Sequence, residues 1–109
     1  VVTIFNPRRD DWDSSWEQRA RNPQFSQQVN WEMDRLQEAD HILMYLDPNT
    51  KSPISLLELG LHAADEKLLV VCPDGFWRKG NVEIVCQRHG IWLYESLSDA
   101  LADLVDMLA

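Results

Sequence analysis

Four short apolar runs, VVTIF, HILMYL, LLVVC and IWLY, recur along this 109-residue chain, and they constrain its fold more than any other feature. Each is short, rich in β-branched and aromatic residues, and lacks the polar alternation of a strand with one face in water. Each therefore reads as a strand buried on both faces. Turn-forming loops follow them, NPRRDDW, DPNTKSP, PDGFWRKGN and ES, and helical periodicity follows the loops. The spacing predicts helices from about Pro23 to Ala39, Pro53 to Glu66, Gly80 to Arg88 and Ser98 to Leu108. Strands alternating with helices need crossover connections, which makes the sheet parallel, with helices on both faces. The expectation is one small doubly wound α/β domain spanning residues 1–109. In such sheets ligands bind beyond the carboxyl ends of the strands, so the four loops are where chemistry belongs.

Charge and composition remove several functions. The chain has 18 acidic and 10 basic residues, a net charge of −8, whereas nucleic-acid affinity comes largely from basic residues displacing counterions. No nucleic-acid partner is expected, and Arg8, Arg9, Arg19 and Arg21 leave room only for a local anion site. No apolar stretch is long enough to cross a bilayer and the first residues do not resemble a signal peptide, so no membrane partner is expected and the location expected is cytoplasmic. Cys72 and Cys86 are too far apart for a redox or zinc motif and read as packed thiols. His41, His62 and His89 lack metal-ligand spacing, so no metal is expected. With four glycines in all and neither glycine-rich phosphate motif, dinucleotide and P-loop readings drop out and no cofactor is expected. Asp47, closing HILMYLD, resembles a phospho-acceptor, but no lysine ends a later strand as a receiver domain requires. The last helix carries Leu101, Leu104, Val105 and Leu108 on one face behind a Ser98 cap, and reads as a packing element.

Two carboxylates are placed unusually. In FSQQVNWEMDRLQEAD the apolar stripe is Phe25, Val29, Met33 and Leu36, and Glu32 lies on its border while Asp34 and Glu38 fall on the outer side. A surface pair with Arg35 is the plain alternative for Glu32. In SPISLLELGLHAADEK, Ser55-x-x-Glu58 is a capping box if the helix begins at Ser55. If it begins at Ser52 with Pro53 as its first residue, Glu58 lies a full turn too deep to cap, and Ser-Pro is the stronger start signal. Glu58 then sits among leucines, and such acids gather at active sites. Two carboxylates across a cleft suit glycosyl chemistry, one attacking the anomeric carbon and the other protonating the leaving group, with carboxyls about 5 to 5.5 Å apart in a retaining pair.

The segments NPRRDDW, QVNWEMDRLQEADHILMYLDPNTKSPISLLELG and KGNVEIV together resemble the nucleoside 2-deoxyribosyltransferase-like family, related to nucleotide N-glycosidases. The specific part is W-E, A-D, a strand and S-P-I-S-x-x-E-L-G at this spacing. The resemblance implies exchange or hydrolysis of the base of a deoxynucleoside or its monophosphate, a small-molecule substrate, with Glu58 as the nucleophile. It implies that Gly60 lets that helix approach the site closely, that Glu32 takes the place of the second carboxylate, and that Asn81 completes the sugar pocket of a neighbouring subunit in a homo-oligomer. It also implies a flavodoxin-like doubly wound parallel sheet whose first strand lies upstream of this chain, four strands being present here. Ser52 stands where the family pattern has a further acid, and Asp47 is the substitute at the strand end. Among Trp12, Trp16, Trp31 and Trp77, Trp12 is the expected base-stacking residue; Asn6 and Arg8 lie in the same first loop, Arg8 suited to a 5′-phosphate. The competing class is a nucleoside-binding module that keeps the fold without turnover.

Overall fold

A computed structural model describes residues 2–6 and 15–109, which fall into two units, residues 1–39 and 40–109. In the first, helix α1 spans Pro23–Glu38. Asn22 caps it, its side-chain oxygen accepting from the Phe25 N–H at 3.0 Å, and Pro23 occupies the first position, where a missing N–H costs nothing. The helix ends at Ala39, whose backbone is extended. Arg35 binds Glu38 at 2.6 Å and lies over the rings of Phe5 and Trp31 at 5.5 and 5.6 Å. Residues 2–6 carry no strand, although VVTIF reads as one. A strand takes its hydrogen bonds from a neighbour, and no other strand lies among the described residues of this unit.

The second unit is a parallel sheet of β1 (Ile42–Tyr45), β2 (Leu68–Val71) and β3 (Leu93–Tyr94), ordered β1-β2-β3. Ile42 lies opposite Leu68 and Val70 opposite Leu93. Two crossovers build it, α2 (Pro53–His62) with a 3-10 turn at Ala63–Asp65 and α3 (Lys79–His89), and α4 (Leu97–Leu108) follows the last strand. The second helical stretch therefore stops at His62 as an α-helix, short of Glu66, where the backbone turns left-handed at φ 60°. Gly90, at φ 67°, closes α3, its N–H reaching the carbonyl of Cys86. The cap of α4 is Ser96, accepting from Asp99 N–H at 3.3 Å, two residues before the expected Ser98.

Side-chain alternation sorts the core onto the two sheet faces. Met44, Leu46, Val70 and Cys72 pack with Leu59 of α2 and with Phe76, Val82 and Cys86. Leu69, Val71 and Tyr94 pack on the other side with Ala100 of α4. Both cysteines are buried and unbridged, and burial pushes the Cys72 thiol up and that of Cys86 to about 11, so they act as apolar filling. Tyr94 secures α4 by donating to Asp103 at 2.6 Å. No helix among the described residues is long and apolar enough to cross a membrane.

Candidate active site

Glu58 is the sixth residue of α2, counted from Pro53. Only the first few N–H groups of a helix lack partners, so this start leaves Glu58 beyond their reach. Its side chain is half-buried, on the edge of the face that carries buried Leu59, while Ile54, Leu57 and Leu61 are exposed. His62, one turn further on and mostly buried, pairs through Nδ1 with Asp65 at 2.7 Å and so anchors the helix end.

The loop between β1 and α2 is closely tied. Asp47 accepts from the Asn49 N–H through Oδ1 at 2.9 Å, and its carbonyl accepts from the N–H and hydroxyl of Thr50, both at 3.0 Å. The Thr50 hydroxyl also meets Ser52 Oγ at 2.7 Å. Asp47 is thereby linked through Thr50 to Ser52, the position it was expected to replace.

After β2, Lys79 gathers the strand ends. Its ammonium donates to the Cys72 carbonyl at 2.8 Å, to Glu95 at 2.5 Å and to Asp74 at 3.1 Å. Burial pulls this ammonium's pKa down, but hydrogen bonds to Glu95 and Asp74 outweigh it and raise the pKa overall. Asn81, exposed on the next turn, lines a mostly apolar groove of about 370 Å³ between α2 and α3, with Leu56, Leu59, Gly60, Trp77 and Val82. Glu58 is not among its lining residues. A Cβ on Gly60 would meet nothing within 4 Å among the described residues, so this glycine serves no close approach among them; it leaves the groove open.

In the first unit, Glu32 is half-buried on α1 and accepts from Gln28 Nε2 at 3.1 Å. It does not pair with Arg35, which binds Glu38. Asp34 and Glu38 are exposed as expected, but Met33 is 47% exposed and leaves the stripe, while Gln28 takes the deepest place on the helix. Asn6 is exposed; Arg8 and Trp12 lie outside the described residues. Gln28 and Lys79 were missed in sequence. Gln28 stands four residues before Glu32, the spacing at which helical side chains meet. Lys79 had no such signal, since its partners are distant in the chain. Among the described residues no group of three His, Cys, Asp or Glu side chains is placed to hold a metal.

A parallel α/β unit whose polar side chains gather on the loops beyond its strand ends has the layout in which open α/β sheets place ligands, outside the carboxyl ends of the strands. The chain belongs to the nucleoside 2-deoxyribosyltransferase-like family, whose model matches residues 1–76. That span includes Glu32, Asp47 and Glu58, and Asn81 lies beyond it. No curated protein matches the chain.

Proposed function

We propose that the protein is a glycosyl-transferring or hydrolysing enzyme acting on the N-glycosidic bond of a deoxynucleoside or nucleotide, with Glu58 as nucleophile and Glu32 as acid and base. The observation that carries this reading is the start of α2 at Pro53, which leaves Glu58 half-buried and outside capping range within a family-matched segment. A carboxylate oxygen of Glu58 attacks the anomeric carbon as the carbon–nitrogen bond breaks. The departing base keeps the bonding electrons and takes a proton from Glu32. Water or a second base then attacks the same carbon, giving its proton to Glu32, and the ester bond breaks to return Glu58 as carboxylate. Gln28 holds the Glu32 carboxyl by its amide. Asp47, and with it Asn6, Arg8 and Trp12, completes the substrate site, Arg8 for a 5′-phosphate and Trp12 for the base.

The same reading takes residues 1–109 as a single flavodoxin-like, doubly wound domain. The protein then works in the cytoplasm as a homo-oligomer, with Asn81 serving a neighbour's site. Supporting this, Ile54, Leu57, Leu61 and Ile84 are all more than half exposed, on the two helices that border the open groove. Ser52, where the family pattern has an acid, favours the alternative of a binding module without turnover. Mixing the protein with a deoxynucleoside and a different free base separates the two. Base exchange or release that disappears in Glu58→Ala supports the enzyme; binding without turnover supports the module.

A further inference from the structure

Two exposed cations share one indole ring beyond the strand ends of the second unit. The Lys51 ammonium, from the loop between β1 and α2, lies 5.1 Å from the centre of the Trp77 ring, and the Arg78 guanidinium, from the loop between β2 and α3, lies 4.4 Å from it. The ring itself is fixed. Its N–H donates to the Lys51 carbonyl at 2.9 Å, 26 positions away in the chain, and Phe76, the residue before it, is buried in the core. Both charges are thereby gathered at one place on the rim.

That placement leaves positive charge without a counterpart. Like charges brought together repel, and an acid beside them would remove the repulsion. Each loop contains one carboxylate, and both are turned to other partners: Asp47 accepts from the Asn49 N–H and Asp74 from Lys79. Among the described residues neither Lys51 nor Arg78 pairs with any carboxylate, although the chain carries 18 acids against 10 bases. The pair therefore suits an anion taken from solution.

An apolar surface adjoins the charges. Trp77 and Arg78 line the groove between α2 and α3, whose walls include Leu56, Leu59, Val82 and Val85. Its volume of about 370 Å³ stands near the lower end of the roughly 300–1,000 Å³ usual for small-molecule sites, room for one ring system and a charged group. A ligand that fits both parts has an anionic end and an uncharged ring.

We propose that Lys51, Trp77 and Arg78 form a binding site for a phosphate monoester that carries a ring, the phosphate lying at the two cations and the ring in the groove between α2 and α3. A guanidinium fork matches phosphate oxygens, and a dianion balances both charges at once. None of these three residues takes part in the reaction proposed above, so the site does not depend on it.

The test titrates the full chain at low salt with a purine nucleoside 5′-monophosphate, its parent nucleoside and inorganic phosphate. Binding is followed at the indole N–H resonance of Trp77, identified by its absence from Trp77→Phe. The monophosphate should bind about tenfold or more tightly than either fragment, and added salt should weaken it. Lys51→Gln and Arg78→Gln should each weaken it roughly fivefold to tenfold, the loss of one charge-assisted hydrogen bond, and leave the parent nucleoside unchanged. Gly60→Leu, which sets a side chain in open space on the groove wall, should weaken the monophosphate and leave inorganic phosphate unchanged. Glu58→Ala should alter nothing. Urea midpoints near wild type are the control for folding. Equal affinity in wild type and both cation variants, or binding lost in Glu58→Ala, would put the phosphate elsewhere and overturn the proposal. A Trp77 resonance that the monophosphate leaves in place would overturn it too, and a change of sedimentation in Gly60→Leu would then give the groove to a second copy.

Discussion

Replacing Lys79 by methionine keeps most of the apolar stem and removes three hydrogen bonds, and its cost can be worked from their surroundings. The Cys72 carbonyl belongs to a fully buried residue, and losing a charge-assisted bond to such a group costs about 1–3 kcal/mol. Asp74 and Glu95 have side chains 94% and 60% exposed, so water screens them and each ion pair adds only about 0.2–1 kcal/mol. The sum is about 1.4–5 kcal/mol, which for a domain of this size lowers Tm by roughly 5–20 °C. Urea denaturation of wild type and Lys79→Met at neutral pH measures it. The pH dependence has a definite sign, because the lysine's pKa is raised in the folded state. The stabilisation is fully present below the ordinary lysine value of about 10.4 and is lost as pH rises through the folded value. A difference under about 0.5 kcal/mol, smaller than a single such hydrogen bond, would refute the reasoning, as would a difference that persists undiminished in strong alkali.

Three further outcomes are expected. Tyr94→Phe should cost about 1 kcal/mol in urea, because the hydroxyl bonds an Asp103 that water also reaches; the bond and burial push the phenol from its usual 10.0 to about 12, so this stabilisation holds below pH 10 and disappears as pH rises toward 12. Gly60→Ala should stabilise the monomer by about 0.5–1 kcal/mol, since the new methyl meets open space in a helix interior, yet weaken self-association in sedimentation experiments if a second copy fills the groove. Gln28→Leu should leave the denaturation midpoint nearly unchanged and lower kcat roughly tenfold by releasing Glu32; an unchanged kcat would remove Glu32 from the chemistry.

Much of the second unit was legible because its strands announce themselves. HILMYL, LLVVC and IWLY are apolar on both faces, and each contains an observed strand. The start of α2 was legible in Ser52-Pro53, since proline at a first helical position lacks a donor that would go unpaired. What stayed hidden depends on contacts made across the fold. VVTIF has the composition of a strand, but composition cannot supply a ladder partner. Met33 fits a helical stripe by spacing alone, and the observed face is rotated toward Gln28, a polar residue that periodicity counts as outside. Ser96 and Ser98 are both plausible caps, and only the backbone geometry distinguishes them. Lys79 and Trp77 act on carbonyls seven and 26 residues away, where no local pattern points. Glu32 and Glu58 stand out in the sequence for different reasons, one for its place on a stripe border and the other for its distance from a helix start.

The most direct measurement is covalent trapping. The protein is incubated with a 2′-deoxynucleoside without acceptor base, quenched in acid, and digested for peptide mass mapping. A deoxyribosyl adduct is predicted on the peptide carrying Glu58, absent in Glu58→Gln and discharged by adding a free base. Turnover that persists in Glu58→Gln, or an adduct on any other carboxylate, would contradict the assignment of Glu58 as nucleophile.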